Sequence, residues 1–452
     1  MQGMPDHSDS PRAQWNSRTG FILAAAGSAV GLGNIWKFPY ITGENGGGAF
    51  VLVYLACILA VGVPVMMAEV MLGRASRSSS VTAYRTLSDP KSKWVVFGIL
   101  AVVAAFLLLS YYSTVAGWAL HYTYLSLTNA IAGIDAGQAE GLFGQLTGSP
   151  LIGVGWQFAF LVFTMCVVAA GVSHGIERWA RIMMPGLFVM ILILLGKAMT
   201  MSGWGEAMDF LFGMNWDKLT AAGVLEALGH SFFTLSLGMG SMIAYGSYLR
   251  SQDDLATASL ATAGADTLVA LAASLVIFPI VFTFGMEPGA GPGLLFVTLP
   301  TALAQMTGGA VLSVVFFVML VFAALTSAIA ILEVIAAYLL DNHGISRVKA
   351  CVSGTVLVAL VGVPATTSGT WFNAVDHFVS NWALPLGGLG IALFVAWRMD
   401  GALRRKEFES GSALAKFYGS WLWILKYPVP VCILIVFLHA IGALAWIGGL
   451  LA

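Results

Sequence analysis

Long apolar runs separated by short polar segments dominate the pattern of hydrophobic and polar positions along the chain. A helix needs about 20 apolar residues to cross a hydrocarbon core of about 30 Å. Eleven runs reach roughly this length, which predicts an all-α integral membrane protein with eleven transmembrane helices. The runs lie at about 18–41, 48–73, 95–127, 152–172, 179–200, 223–249, 257–285, 309–340, 346–363, 374–398 and 428–450.

A shorter apolar piece at 293–306 contains Pro300. It is too short to cross the hydrocarbon core as a helix. We expect a re-entrant or surface helical hairpin outside the membrane, and an ordinary external loop is an equally good interpretation.

The composition agrees with a membrane protein. Hydrophobic residues make up 58% of the chain and charged residues only 10%, whereas soluble domains carry about 25% charged residues. The formal net charge of −1 gives no reason to expect a nucleic-acid partner.

The four cysteines each lie in an apolar run without metal-ligand spacing, so we interpret them as packing residues. The polar N-terminus lacks the apolar segment of a cleavable signal peptide.

The distribution of positive charge predicts the orientation in the membrane. If the N-terminus is cytoplasmic, all but three of the 21 Lys and Arg residues fall on the cytoplasmic side. The exceptions are Lys37, Lys197 and Lys218. Because Lys and Arg are retained in cytoplasmic loops, we expect a cytoplasmic N-terminus. An odd number of spans then places the C-terminus outside.

The first span is interrupted at its centre by Gly27, Gly31 and Gly33, with Asn34 directly after them. Unpaired backbone groups are costly in hydrocarbon, so a broken helix persists only where it is buried in protein or lines a wet cavity. Its freed amides and helix ends can receive an anionic group, and its freed carbonyls can coordinate a cation. The break is therefore a candidate binding site.

A second interruption lies in the sixth span. Gly238 and Gly240 bracket Met239 there, just after Thr234 and Ser236. One such glycine pair is usually explained by close helix packing. Here, however, the first and the sixth spans are both interrupted, and these two spans occupy corresponding places in two five-span halves of the chain. This is typical of a transporter with inverted repeats and a binding site near the midplane.

Several motifs resemble the neurotransmitter:sodium symporter family from about Trp15 to the last span. They are GSAVGLGN at 27–34, Phe38-Pro39, ENGGGAF at 44–50, FTLSLGMG at 233–240 and LTS at 325–327. The closest resemblance is to the eleven-span bacterial amino-acid transporters of that family. It implies a 5+5 inverted-repeat fold with discontinuous first and sixth helices, sodium-coupled uptake by alternating access, and a place in the bacterial inner membrane. A monomer should suffice for transport, and the oligomeric state is left open.

The resemblance also divides the chain into segments. They are a cytoplasmic N-terminal tail at 1–14, a first five-helix repeat at 15–200, an extracellular loop at 201–222, a second repeat at 223–400, a cytoplasmic loop at 401–427 and an eleventh helix at 428–452.

Two sodium ions are the implied cofactors. The first site would use the Ala29 carbonyl, the Asn34 side chain, Thr234, Asp266 and the carboxylate of the substrate. The second would use the carbonyls of Gly27, Val30 and Ala323 with the hydroxyls of Thr326 and Ser327. Sodium is a hard cation that takes oxygen ligands, and weakly charged sites can release it. A Thr-Ser pair alone, however, often bonds back to its own helix.

Asp266 is the most informative single residue, because a carboxylate inside an apolar span is costly and points to function. Ala270 lies where some bacterial relatives carry a glutamate, and His230 lies where glutamine is common. We therefore expect Asp266 to supply the negative charge, to make transport independent of chloride, and to be a candidate for coupling to outward proton movement. The alternative is a structural aspartate paired inside the bundle with a group such as His230.

The resemblance favours amino acids over amines, because monoamine carriers of the family have an aspartate where this chain has Gly31. The substrate carboxylate would bind the Leu32 and Gly33 amides, the Tyr112 hydroxyl and the first sodium ion. The amine would meet the carbonyls of Ala29, Phe233 and Thr234 and the side chain of Ser236. Apolar side chains would select a broad set of hydrophobic or aromatic L-amino acids: Leu108, Phe233, Met239 and Ile331.

Gates are implied on both sides of this site. Lys37 and Asp376 match the external ion pair, where arginine is commoner than lysine, and Phe233 would cap the substrate. Arg12 and Asp341 match the cytoplasmic pair, with Trp15 and Tyr248 beside them. The alternative for both pairs is a surface ion pair of little energetic weight.

Two further features bear on the inner side and on the broken helices. Gly175 and Pro185, separated by nine residues, match a family pattern that lets the fifth span unwind toward the cytoplasm, although an isolated proline kink is an equal alternative. We interpret Glu69 as a structural brace that accepts hydrogen bonds from a broken backbone. Glu333 is either a residue of the cytoplasmic pathway or one near the interface.

An alternative function is a sodium-dependent amino-acid receptor, or a channel-like protein without net coupled transport. An enzyme is not predicted, because the histidines and acids lack zinc or protease spacing. No nucleotide-binding loop of the Walker type occurs in the sequence, which argues against a primary pump.

Overall fold

The computed structural model describes residues 13–89, 91–286 and 291–443, and these residues form α-helices without a β-strand. Several helices contain a π-turn and are treated as continuous. In chain order they are α1 Arg18–Ala29, α2 Gly33–Glu44, α3 Gly48–Ser76, α4 Ser80–Leu87, α5 Val95–Leu127, α6 Ala136–Gly148, α7 Pro150–Ala169, α8 Val172–Ala198, α9 Trp204–Phe212, α10 Ala221–Thr234, α11 Ser241–Gly246, α12 Leu255–Thr283, α13 Leu294–Gln305, α14 Gly309–His343, α15 Arg347–Thr367, α16 Gly369–Arg398, α17 Gly401–Glu409 and α18 Ala415–Ala440.

Most of the predicted spans correspond to one long apolar helix each. Within the described residues, nine helices are long and apolar enough to cross a membrane, and the pair α1 and α2, bent by 53°, makes a tenth. The sixth predicted span is divided into the shorter helices α10 and α11. The all-helical membrane architecture is therefore confirmed, while the count of eleven spans stays a prediction.

The apolar piece before the eighth predicted span forms helix α13, which turns at 306–308 into α14. The helical interpretation is therefore confirmed, and an irregular loop is wrong. The eleventh predicted span belongs to a helix that already begins at Ala415 and bends near Tyr427.

Helix α14 lies at the centre of the bundle and packs against α1, α5, α8 and α15. The shorter α11 is held against α3 by two glycines. A Cβ atom on Gly73 would lie 2.0 Å from the carbonyl oxygen of Ile243, and one on Gly246 would lie 2.5 Å from that of Val70. Membrane helices use such small residues to bring backbones together. The packing fixes the second half of the broken sixth span.

Helix α8 begins with a wide turn. Its first residues, Val172–Glu177, form a π-helix, and Gly171 before them has a φ of 93°. A Cβ atom on Gly175 would lie 2.0 Å from the Val167 carbonyl oxygen, so only glycine fits there. Pro185 lies inside the same helix. The irregular turn coincides with the predicted point of unwinding, and the unwinding itself stays a prediction.

Candidate functional site

The two interrupted spans meet at the centre of the bundle. Helix α1 ends at Ala29, and α10 ends at Thr234. The segment between α10 and α11 enters the left-handed region at Ser236, with a φ of 55°, and again at Gly238 and Gly240. The Ser236 hydroxyl donates a 2.8 Å hydrogen bond to the carbonyl of Ser28 in α1. A side chain of one break therefore satisfies a backbone group beside the other.

Glu69 braces the second break. It is fully buried in α3, and its Oε1 atom accepts a 2.6 Å hydrogen bond from the Gly238 amide. That amide has left the helical ladder, so it needs such a partner in an apolar bundle. This contact confirms the interpretation of Glu69 as a brace.

A small cavity of about 20 Å³ lies between the two breaks, α5 and α14. All eleven residues predicted to contact the substrate line it, together with Ser28, Asn34 and Ser327. Its polar end contains the backbone of the first break and the Tyr112 hydroxyl, which lies 3.5 Å from the Leu32 amide nitrogen. Its other end is formed by apolar side chains: Leu108, Phe233, Met239 and Ile331.

Two glycines keep the polar end of this cavity open. A Cβ atom on Gly31 would lie 2.8 Å from Ser327 Oγ and 3.3 Å from Tyr112 Oη. A Cβ atom on Gly33 would lie 2.9 Å from the Phe233 ring. Any side chain at these positions would displace a group that lines the cavity.

The residues predicted for the first sodium site form one buried hydrogen-bonded cluster. Asn34 Nδ2 donates to Asp266 Oδ1 at 2.6 Å, and Thr234 Oγ1 lies 2.9 and 3.1 Å from the two carboxylate oxygens. The Asn34 Oδ1 atom accepts the Gly31 amide at 2.9 Å. Ala29 lines the adjoining cavity. The Asp266 carboxylate and the Thr234 hydroxyl thus lie together beside the polar end of the pocket, and both are ligand types of a hard cation. Asn34 directs its amide nitrogen to this carboxylate and its oxygen to the Gly31 amide.

Tyr54 is a neighbour of this cluster that the sequence analysis missed. Its hydroxyl lies 3.5 Å from Asp266 Oδ2. Tyr54 is an isolated tyrosine in the apolar second span, which was the available signal.

The residues predicted for the second sodium site also converge. Ser327 Oγ lies 3.4 Å from the Gly27 carbonyl oxygen and 3.2 Å from that of Val30. Thr326 Oγ1 lies 3.1 Å from the carbonyl oxygen of Ala323 and 3.0 Å from that of Phe322, both in its own helix. The threonine therefore makes the helix back-bond, whereas the serine reaches across to α1. Ser327 therefore links α14 to the carbonyls at the end of α1.

His230 does not pair with Asp266, which bonds to Asn34 and Thr234 instead. Only the suggested partner of the structural alternative is therefore wrong, and the role of Asp266 stays a prediction. The ring of His230 stacks on Phe38 and Phe233, with centroid distances of 6.0 and 6.4 Å, and lies 5.7 Å from the Tyr54 ring. Neither ring nitrogen has a hydrogen-bond partner among the described residues. His230 therefore packs as one ring of an aromatic stack. The carboxylate of Asp266 accepts its hydrogen bonds from Asn34 and Thr234.

A larger cavity of about 240 Å³ opens above the small one and contains both residues of the predicted outer gate. Between Lys37 and Asp376, which are both described, the structure has no ion pair within 4.0 Å. The Lys37 ammonium lies 5.5 Å from the Phe233 ring centroid, and Asp376 accepts a 3.0 Å hydrogen bond from Ser380. Phe233 separates the two cavities, because it lines both.

Aromatic side chains pack around Trp15 at the predicted inner gate. Trp15 is buried, and its indole nitrogen donates a 3.0 Å hydrogen bond to the Tyr245 carbonyl. Its ring makes edge contacts with the rings of Tyr245 and Tyr248 at 5.3 and 6.3 Å. Asp341 accepts a 2.6 Å hydrogen bond from the Ser79 amide. The predicted partner of Asp341, Arg12, lies outside the described residues.

Glu333 is a buried member of this inner region. It forms an ion pair with Arg347 at the start of α15, and it accepts a 2.5 Å hydrogen bond from the Tyr248 hydroxyl. It therefore ties α14 to α15 and to Tyr248 of the predicted inner gate, and its place in a cytoplasmic pathway stays a prediction.

Glu177 is a further inner residue that the sequence analysis missed. It is buried at the start of α8, where it accepts a 2.8 Å hydrogen bond from the Asn16 amide and pairs with Arg181 at 2.5 Å. Arg181 also donates to Ser17, the N-cap residue of α1. We call these contacts of Glu177 and Arg181 with the start of α1 the Glu177 clasp. In the sequence, the signal for it was an acidic residue two positions after Gly175.

Two broken helices around a shared polar cavity, inside an apolar bundle, define a membrane transport protein of the broken-helix class. The model of the sodium:neurotransmitter symporter family matches residues 12–138 and 150–446. The chain therefore belongs to this family of sodium-coupled transporters.

Individual proteins show the same relationship. An uncharacterized sodium-dependent transporter of Bacillus subtilis, YhdH, is 37% identical over 97% of this chain and 100% of the relative. A second uncharacterized sodium-dependent transporter, from Methanocaldococcus jannaschii, is 32% identical over 96% of this chain and 91% of its own length. The crystal structure of MhsT in complex with L-phenylalanine matches with a TM-score of 0.88 and 40% identity. The match covers 95% of this chain and 100% of that one.

Proposed function

We propose that this transporter takes up hydrophobic and aromatic L-amino acids together with two sodium ions, by alternating access and without a requirement for chloride. The observation that carries the proposal is the two-ended cavity. One end offers backbone amides, a tyrosine hydroxyl and a carboxylate cluster, and the other offers aliphatic, thioether and aromatic side chains. An α-amino acid has this same division between a charged head and an apolar side chain.

The polar end supports the recognition of a carboxylate. Beyond the end of α1, the Gly31 amide donates to Asn34 Oδ1, and the Leu32 amide nitrogen lies 3.5 Å from the Tyr112 hydroxyl. Such an arrangement of donors at a helix end favours an anionic group. Gly31 has no side chain that would occupy this space, so a carboxylate can enter where an amine-pairing acid would exclude it.

The apolar end supports a broad choice of side chains. Met239 and Phe233 can repack around ligands of different shape, because a thioether is flexible and a phenyl ring can rotate about two torsions. The related transporter MhsT was crystallised with L-phenylalanine, which supports an aromatic amino acid as one substrate.

Asp266 supports independence from chloride. Its carboxylate accepts hydrogen bonds from the Asn34 amide nitrogen and the Thr234 hydroxyl. It lies beside the cavity, where two incoming sodium ions and a zwitterionic substrate would leave excess positive charge. A buried carboxylate can balance that charge without a mobile anion. When sodium leaves, the same carboxylate becomes an isolated buried charge and can take up a proton, so outward proton movement is part of the proposal.

Uptake of labelled L-phenylalanine, L-tryptophan and L-leucine into proteoliposomes tests this function. We expect uptake that requires an inward sodium gradient and is equal in chloride and in gluconate. Asp266→Asn should make uptake depend on chloride or abolish it, whereas Asp217→Asn, on an exposed external residue, should change neither. Uptake that ignores sodium would reject the symporter itself. Sodium-driven uptake of other amino acids alone would reject only the pocket interpretation.

Counterflow separates a carrier from the receptor or channel alternative. Vesicles loaded with unlabelled substrate should transiently accumulate labelled substrate above its external concentration, because a carrier exchanges its ligand between the two sides. A receptor that binds L-phenylalanine without transport, or a channel, would give no such overshoot.

A further inference from the structure

The stretch from the end of α16 into α18 carries several positive charges without an acidic partner among the described residues. Six Lys and Arg residues occur between positions 398 and 426. Arg404 caps the carbonyls at the end of α16, and Arg405 pairs with Glu409 at 2.8 Å. The other four have no carboxylate oxygen within 4.0 Å among the described residues: Arg398, Lys406, Lys416 and Lys426.

One of these cations, Lys426, belongs to an exposed aromatic cluster, and a second, Arg398, is the sequence neighbour of one of its rings. The Lys426 ammonium lies 4.1 Å from the ring centroid of Trp397 and 5.6 Å from that of Tyr427. The Tyr427 ring in turn contacts Trp423 at 6.4 Å, and Arg398 directly follows Trp397. The three aromatic side chains are between 48% and 60% exposed. We call this cluster the basic-aromatic patch: Trp397, Arg398, Trp423, Lys426 and Tyr427.

The patch is held in a fixed arrangement although it draws on two helices. Arg404 donates to carbonyls of α16 and also to the Tyr418 hydroxyl of α18, at 3.0 Å. The Trp421 indole of α18 donates to the Pro64 carbonyl of α3 at 3.2 Å. Helix α17, which precedes α18, is tied to α3 by an ion pair of Arg74 with Glu407. The cations are therefore presented at a defined place rather than on a mobile tail.

The chemistry of the patch suits the headgroup layer of a membrane. Exposed tryptophan and tyrosine are enriched at membrane interfaces, and clusters of Lys and Arg beside a span attract anionic lipids. Lys426 rests on an indole face, which is attractive for a cation and leaves its N–H groups available to a phosphate. No described acidic residue belongs to the patch, so it offers nothing to the ammonium group of a zwitterionic lipid.

We propose that the basic-aromatic patch binds the phosphate headgroup of an anionic phospholipid in the cytoplasmic leaflet. Lys426 and Arg398 bind the phosphate, and the exposed rings of Trp397 and Trp423 contact the glycerol region and the upper acyl chains. This surface lies apart from the substrate cavity, so its occupation does not depend on the proposed substrate.

Native mass spectrometry of the full-length protein in detergent tests the proposal. With phosphatidylglycerol and phosphatidylcholine added in equal amounts, we expect wild-type protein to retain phosphatidylglycerol preferentially. The double variant Arg398→Gln/Lys426→Gln should retain it roughly 25-fold less, at roughly fivefold for each lost charge. Arg405→Gln is the matched control, because it removes a charge of the same loop that is already paired with Glu409.

Each of the other possible results would also decide whether the basic-aromatic patch binds an anionic phospholipid. Equal retention of phosphatidylglycerol by the double variant and the wild type overturns the proposal, as does equal retention of the two lipids by the wild type. Displacement by inorganic phosphate would assign the patch to small soluble anions instead. The charge-preserving variant Arg398→Lys/Lys426→Arg should retain the lipid, which distinguishes lost binding from misfolding.

Discussion

Among single residues, Gly31 shows that the candidate site depends on the absence of a side chain as well as on charge. A methyl group there would lie 2.8 Å from Ser327 Oγ and 3.3 Å from Tyr112 Oη. The serine belongs to the candidate second sodium site and the tyrosine to the polar end of the substrate cavity. One added carbon atom therefore affects both ligands, although it adds no charge.

We expect Gly31→Ala to weaken the binding of both the amino acid and sodium. Overpacking a tight site costs about 1–3 kcal/mol, which is roughly fivefold to 150-fold in affinity. The apparent affinities for substrate and sodium in uptake assays measure this effect. Gly264→Ala is the control, since a Cβ atom there meets nothing within 4 Å. An unchanged affinity for sodium would contradict the contact with Ser327.

Single residues also show which site features the sequence could predict. The glycines and Asn34 mark a helix break for physical reasons, and Asp266 is conspicuous because charge is costly in an apolar span. Leu108 and Ile331, by contrast, resemble any core residue and entered only through the family resemblance. The surroundings of His230 were unpredictable, because hydrogen bonding and aromatic stacking are equally compatible with a histidine beside Phe233.

At the scale of elements, the inner ends of α1 and α8 form one connected unit. Glu177 accepts the Asn16 amide, and a Cβ atom on Gly20 would lie 2.0 Å from its Oε1 atom. Glu177 also ends the irregular turn that contains Gly175. Because of these contacts, any unwinding of that turn would remove the clasp from the start of α1.

We expect Glu177→Gln to favour opening toward the cytoplasm. A hydrogen bond to a charged group contributes about 1.5–3 kcal/mol, so the open population should rise roughly tenfold or more. Ala24→Cys, in an otherwise cysteine-free background, reports on this, because Ala24 lines a small buried cavity beside Tyr245. Its labelling by a membrane-impermeant thiol reagent from the cytoplasmic side should accelerate.

The matched control is Glu140→Gln, on an exposed residue of α6. Equal labelling rates in Glu177→Gln and the wild type would show that the clasp does not restrain α1.

The sequence predicted the elements better than it predicted their ends. Apolar runs identify spans reliably because hydrocarbon thickness sets their length. The bend near Tyr427 and the helix before it were not predicted, because polar and apolar residues alternate there and an interfacial helix has no length constraint. Within the described residues, the length criterion also misses the sixth span, since its two halves are each too short.

At the scale of the whole molecule, the candidate sodium sites join parts of the bundle that alternating access must separate. Ser327 of α14 reaches the carbonyls at the end of α1, and Asp266 of α12 joins the two broken helices through Asn34 and Thr234. A cation bound at either point adds a bridge between elements. Sodium should therefore stabilise the closed bundle as well as drive uptake.

We expect sodium to raise the thermal unfolding midpoint of the detergent-solubilised protein relative to potassium at equal ionic strength. A ligand at a hundred times its Kd stabilises the native state by about 2.7 kcal/mol, so the shift should grow with sodium concentration and vanish on its removal. Ser327→Ala should reduce the shift, because the second site loses a hydroxyl ligand. Ser353→Ala, on an exposed serine bonded to its own helix, should preserve it. If sodium and potassium gave equal midpoints, the converging oxygens would not form selective sites, and sodium coupling would have to arise elsewhere in the bundle.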